Sequence, residues 1–178
     1  MGTSFTAAGL TDSTIEREER EIEILRAEDW ERVRERILVI EESSFPPDLR
    51  YSAEDFQHDL SREGSRFLIL KEREVIQGFL HALPLEELDY LSFDEEWGRG
   101  DTLYVVNIAL MPDLRGRGGG SRLLRHLLET TPFVRYAARA VCPSSLRLFS
   151  GAGFRRDRVF PRWMGEHDGV YMICDKTL

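Results

Sequence analysis

The residues of this chain best suited to chemistry lie in one turn. Arg115, Gly116, Arg117, Gly118, Gly119, Gly120 and Ser121 form a glycine-rich, basic stretch between an apolar run and an amphipathic segment. Glycines at the start of a helix leave backbone N–H groups uncovered and aimed at one point, which makes an anion site, most simply a phosphate site. The charge nearby agrees. Leu114 to Leu128 contains Arg115, Arg117, Arg122 and Arg125 and no acid, in a chain with 24 basic and 32 acidic residues and a net charge of −8. Two familiar phosphate loops are excluded by spacing. A Walker loop needs Lys-Ser/Thr after its last glycine, where this chain has Ser121-Arg122. The dinucleotide fingerprint needs a glycine at its sixth position, which is Ser121 or Leu123 here. An Arg-Gly-Gly nucleic-acid segment would be disordered, and the acidic balance opposes nucleic acid.

The flanking elements must position that turn. Leu103 to Leu110 is apolar except for Asn107, as in a strand buried on both faces, and Met111-Pro112 stops it. After the turn, Leu123, Leu124, Leu127 and Leu128 share one helical face. Upstream, Glu21–Arg26 alternates as a strand, and a helix starting near Asp29 carries Trp30, Val33, Ile37 and Ile40 until Phe45-Pro46-Pro47 breaks it. Ser52, with Asp55 three residues on, caps a second helix. Arg66–Lys71 and Val75–Leu83 predict a strand pair, with Gly78 inside the second. A polar connection then runs from Pro84 to Asp101. After the glycine turn come a strand at Arg135–Val141, a helix over Pro143–Ser150, and a hairpin of Phe160–Met164 and Val170–Cys174 turning at His167-Asp168-Gly169.

Arg-x-x-Gly-x-Gly, as Arg115, Gly118 and Gly120 directly after a strand ending Ile-Ala-Leu-x-Pro, resembles the coenzyme-A motif of the GNAT acetyltransferases. Ile24-Leu25-Arg26-Ala27-x-Asp29, Leu148-Phe149-x-x-x-Gly153-Phe154 and Tyr171-Met172 resemble other marks of that family. The resemblance implies an α/β fold built on a mixed, mostly antiparallel sheet of about seven strands, splayed in the middle and flanked by about four helices. It would occupy residues 21–178, behind a mobile tail over residues 1–20. It further implies that acetyl-CoA is the co-substrate, that Gly116 through Ser121 cradle its diphosphate, and that Ile108, Ala109 and Leu110 line the pantetheine arm.

Acetyl transfer requires a neutral amine, a polarised carbonyl and a protonated leaving thiolate. Backbone N–H near Ala109 or Leu110 would polarise, by resemblance. The family's usual acid and base are replaced: the tyrosine position is Phe149, one glutamate position is near Ala137, and another base position is Asn107. Tyr104 and Tyr171 are candidate acids and His81 a candidate base; each also reads as a core residue. Cys142, ahead of a helix, could form an acyl-cysteine, or simply be a small apolar residue. Between Leu85 and Asp101, seven acids face Arg99 alone with Tyr90, Phe93 and Trp97 interleaved, which suits a cationic acceptor or a solvated loop. Arg50 and Tyr51 fall in a region that borders the acceptor site in this family.

The sequence thus points to a cytoplasmic N-acetyltransferase with acetyl-CoA and a cationic primary amine as partners and no metal. The acceptor stays open among small amines, aminoglycoside-like compounds, peptide N-termini and lysine side chains. A catalytically degenerate domain that binds acyl-CoA as a sensor is the alternative. No stretch has membrane-span length, Cys142 and Cys174 show no disulfide or metal spacing, and a homodimer is compatible with the sequence without being specified by it.

Overall fold

A computed structural model describes residues 20–88, 101–164 and 167–176. Seven strands form one sheet: β1 (Arg20–Ile24), β2 (Arg66–Glu72), β3 (Val75–Pro84), β4 (Thr102–Leu110), β5 (Arg135–Ala140), β6 (Arg155–Met164) and β7 (His167–Asp175). Their order across the sheet is β1-β2-β3-β4-β5-β7-β6. Every pairing is antiparallel except β4 with β5, which is parallel. Among the described residues, four α-helices flank the sheet: α1 (Trp30–Ser44), α2 (Ala53–Leu60), α3 (Gly119–Thr130) and α4 (Pro143–Gly151). No helix among the described residues is long and apolar enough to cross a membrane.

The sheet is apolar on both faces because its strands alternate between two cores. Phe67, Ile69 and Phe79 pack against Trp30, Val33, Ile37 and Ile40 of α1 and Phe56 of α2. Leu68, Leu70 and Leu80, one residue out of phase, pack against Leu123, Leu124 and Leu127 of α3 and Phe149 of α4. A third cluster joins Tyr104, Ala137, Tyr171 and Ile173 with Leu83, Leu85 and Leu88. Burying a side chain of this size is worth roughly 1.5–3 kcal/mol, and each core holds two of these helices.

Local signals act where expected. Ser52 Oγ accepts from the Asp55 amide at 3.1 Å and Asp55 Oδ2 from the Ser52 amide at 2.8 Å, a reciprocal cap on α2. Gly78 is required by close approach: a Cβ there would lie 2.3 Å from Leu110 Cδ2 and 2.9 Å from the Ala109 carbonyl. One expectation is corrected. His167, Asp168 and Gly169 lie in β7 rather than in the turn, with His167 already paired to Met164. Asp168 Oδ1 instead accepts from the Arg162 amide at 3.0 Å, where φ is +49°. Residues 1–19 and 89–100, which hold the expected tail and most of the acidic connection, lie outside the described residues.

Candidate active site

The site begins where β4 and β5 part. Thr102 to Val105 pair with Arg135 to Ala138, and the pairing ends there. Beyond it β4 runs on to Leu110 and β5 to Ala140 with no ladder between them. A β-bulge marks the parting. His81 faces Asn107 across β3 and β4 while Ala82 faces Val105, so Val106 is the extra residue. The bulge also changes phase: Leu103 and Val105 before it and Ile108 and Leu110 after it all belong to the α3 face. Asn107 is thereby turned to the α1 face, where its Nδ2 donates to Glu41 Oε1 at 3.2 Å.

The gap opens into a cleft of about 680 Å³. One wall is β4 from Val105 to Leu110; the other is Arg139 and Val141 with Cys142, Ser145, Leu148 and Phe149 around α4. Met111 N–H donates to the Gln77 carbonyl across β3 at 2.8 Å. Antiparallel alternation then turns the Ala109 amide toward β3 and those of Ile108 and Leu110 toward the gap. The Leu110 carbonyl, on the same side, accepts from Arg115 Nε at 3.1 Å.

The floor of the cleft is the glycine turn. Gly116 and Gly118 have φ of +77° and +80°, and a Cβ at either would meet nothing within 4 Å, so the backbone borders open space. Gly118 is the N-cap of α3, with no side-chain cap and no acid in the first turn. The amides of Gly118, Gly119, Gly120 and Ser121 therefore have no intrahelical acceptors, and the helix dipole adds partial positive charge. Arg117 differs from its neighbours. It does not line the cleft, its amide bonds the Leu114 carbonyl at 3.3 Å, and its carbonyl accepts from Arg20 Nη1 at 3.2 Å. Arg115 lines the cleft, but its guanidinium is engaged: Nη2 donates to the Ser43 carbonyl at 2.7 Å and Ser44 Oγ at 3.1 Å. Fitted against coenzyme A, the amide cradle suits a diphosphate and the unpaired β4 edge suits an amide-bearing arm.

The candidate acids and bases fare unevenly. His81 is fully buried against Phe67, Phe56 and Tyr51, and burial lowers its pKa to about 3. A neutral imidazole of that weakness does not deprotonate an ammonium. Its Nε2 lies 3.7 Å from Asp59 Oδ2, whose carboxyl burial pushes up. Tyr104 and Tyr171 stack at 6.3 Å in the third cluster, and neither lines the cleft among the described residues. Burial raises the Tyr171 hydroxyl to about 12, too weak an acid to favour protonating a thiolate. Asn107 does line the cleft, as a hydrogen-bond donor to Glu41 and not a base. Partial burial of the Cys142 thiol is outweighed by hydrogen bonds with Ser144 and Ser145, which draw its pKa down.

The residue missed from sequence is Glu41. It lies on α1 with 1% of its surface exposed, and burial raises its carboxyl to about 7 against the Tyr51 amide and Arg50 charge, which pull it down. Its signal was positional: at four residues from Ile37, Glu41 falls on the buried face of α1. Arg50 and Tyr51 flank it, although the Arg50 guanidinium is spent on the Phe45 and Glu42 carbonyls. Of the acids of the connection, Glu86, Glu87 and Asp101 are described, and Glu87 pairs with Arg62 at 3.2 Å.

Comparison with known proteins agrees with this geometry. The profile of the acetyltransferase (GNAT) family matches residues 24–149. No curated protein sequence matches. Among solved structures, the ribosomal-protein-S18-alanine N-acetyltransferase from Escherichia coli superposes with a TM-score of 0.70 at 17% identity, covering 89% of this chain and 95% of that one. The GphF GNAT-like decarboxylase, solved with isobutyryl-CoA, gives 0.69 at 18% identity, covering 88% of this chain and 100% of that one. The yncA protein from Salmonella typhimurium, solved with acetyl-CoA, gives 0.67 at 18% identity over 89% and 95%. These likenesses show a shared fold, and with the family profile spanning the strand, the gap and the glycine turn, the chain belongs to the GNAT acetyltransferase family.

Proposed function

We propose that this chain is an acetyl-CoA-dependent N-acetyltransferase that moves an acetyl group to a primary amine by direct attack. The observation that carries the reading is the continuity of two unmet backbone surfaces. The β4 edge, unpaired from Val106 onward, runs directly into the open amides of α3. A ligand with an amide-bearing arm and a diphosphate would satisfy both at once.

The bound thioester supplies an activated acyl group; the protein supplies the rest. The Ile108 and Leu110 amides face the gap and would donate to the acyl oxygen as negative charge develops there. Gly118 to Ser121 hold the anionic end, and Arg115 fixes the turn against α1. Phe149 lines the cleft without a hydroxyl, so this reading leaves the leaving thiolate to draw its proton from the attacking nitrogen or from solvent. Phe149 is also what favours the second reading, a domain that binds acyl-CoA without turnover.

Thermal unfolding tests the binding step. Acetyl-CoA at a hundred times its dissociation constant should stabilise by about 2.7 kcal/mol, roughly 5–10 °C at this size, and AMP should not. No shift at millimolar acetyl-CoA would remove the proposal. A shift without acetylation of any primary amine would favour the sensor reading.

A further inference from the structure

Glu41 is out of place energetically. The buried face of α1 is Trp30, Val33, Ile37, Ile40 and Glu41, four apolar side chains and one carboxylate. Such a group is costly to bury unless its oxygens are met. Only half of it is met. Oε1 accepts from the Tyr51 amide at 3.0 Å and from Asn107 Nδ2 at 3.2 Å, while Oε2, itself closed to solvent, has no hydrogen-bond partner among the described residues.

Its location gives that oxygen a use. Asn107, which holds Oε1, lines the cleft, and so do Ser44 and Phe45 one turn further along α1. Asn107 reaches Glu41 because the Val106 bulge turns it onto the α1 face just where β4 leaves β5. The carboxylate therefore stands one side chain behind the cleft wall, next to the stretch whose amides face the gap. Two donors fix its orientation and leave the other oxygen unpaired behind Asn107. We infer that Glu41, from helix α1 and not from the strand, takes the proton of the incoming ammonium at Oε2 through one bridging water.

This assignment rests on the acetyltransfer reading and deepens it. The acceptor enters as R–NH3+ and passes one proton to Glu41, which becomes a neutral acid. The amine lone pair then forms the C–N bond as the C–S bond breaks. The second proton leaves that nitrogen for the departing thiolate, and Glu41 returns its proton to water. An anionic carboxylate beside the gap also selects for a cationic acceptor. Burial raises the carboxyl to about 7; the Tyr51 amide and, of the charged groups around it, Arg50 from the connection after α1 pull it down. His81 of β3, packed on Tyr51, is neutral, and Asp59 of α2 faces His81 at 3.7 Å.

The test measures kcat against pH with acetyl-CoA and three cationic amines: spermidine, kanamycin and a lysine-containing peptide. For whichever turns over, kcat should rise tenfold per pH unit and level off near pH 7. Glu41→Gln should keep the acetyl-CoA thermal shift, lose the limb near pH 7 and lower kcat by about 10²–10⁴-fold. A Glu41→Gln enzyme with kcat within threefold of wild type, or with the limb intact, overturns the assignment alone. If that variant does not fold, the wild-type profile decides, and its flatness between pH 5.5 and 8.5 is the overturning result. Absence of turnover with all three amines removes the acetyltransfer reading and this assignment with it.

Discussion

A carboxyl group on the apolar face of a helix makes the fold respond to pH in the opposite sense to an ordinary paired acid. The Glu41 carboxyl titrates near 7 in the folded chain and near 4.5 when unfolded. Between those values the folded state holds a proton that the unfolded state has lost. Its contribution to stability is thus complete below pH 4.5 and is lost as pH rises through 7, by about 3 kcal/mol in all. His81 acts oppositely: its pKa is lowered by burial, so its contribution is present above 6.5 and falls as pH drops toward 3. Comparing Glu41→Gln with wild type cancels the histidine. The melting temperature of the variant relative to wild type should therefore climb by roughly 5–10 °C between pH 4.5 and pH 8. Calorimetry at the two pH values checks this, and a constant difference would show that the carboxyl is not perturbed. The sequence carried a signal for Glu41 in the periodicity of Trp30, Val33, Ile37 and Ile40, which places it on the buried face, but helical periodicity does not say what a buried carboxylate meets there.

Helix α1 ends beside the cleft with no basic residue in its last turn, and arginines from elsewhere meet its carbonyls. Arg50 reaches the Glu42 and Phe45 carbonyls at 3.1 and 2.8 Å, and Arg115 reaches the Ser43 carbonyl at 2.7 Å. Cations suit this end of a helix dipole. Arg115 thus ties the glycine turn to the wall that carries Glu41, where its place in a basic window had suggested direct anion contact. Arg115→Met should lower the melting temperature by about 3–6 °C for one or two charged hydrogen bonds lost. Acetyl-CoA affinity, read by calorimetric titration, should weaken roughly tenfold as the turn loosens. Unchanged affinity beside lowered stability would confine Arg115 to a fold role. The turn and its helix were legible because glycine punctuation and a 3.6-residue pattern are local signals. The bulge was not, since a strand apolar on both faces carries no mark of which residue faces which way.

At the scale of the molecule, the site joins surfaces made by different means. The gap belongs to the sheet and depends on β4 and β5 meeting only over Thr102–Val105, a tertiary fact that no local pattern marks and that only the likeness to the family implied. The cradle belongs to the start of α3 and was written in the glycines. The chain order of strands and helices was readable, whereas the placing of β7 between β5 and β6 had to come from the fold. Because the two surfaces are separate, they can be separated by experiment. Gly118→Asp suits the purpose: its φ of +80° is one that Asp tolerates better than most residues, and a Cβ there meets no atom within 4 Å. The fold should persist while a carboxylate occupies the place of a phosphate. With acetyl-CoA as donor, KM should rise at least a hundredfold, since a like charge replaces favourable amide contacts. With S-acetyl-pantetheine, which lacks the diphosphate and uses only the gap, kcat/KM should change less than threefold. Equal losses with both donors would mean that the substitution distorts β4 as well. Loss with neither would mean that the amides of α3 hold no phosphate.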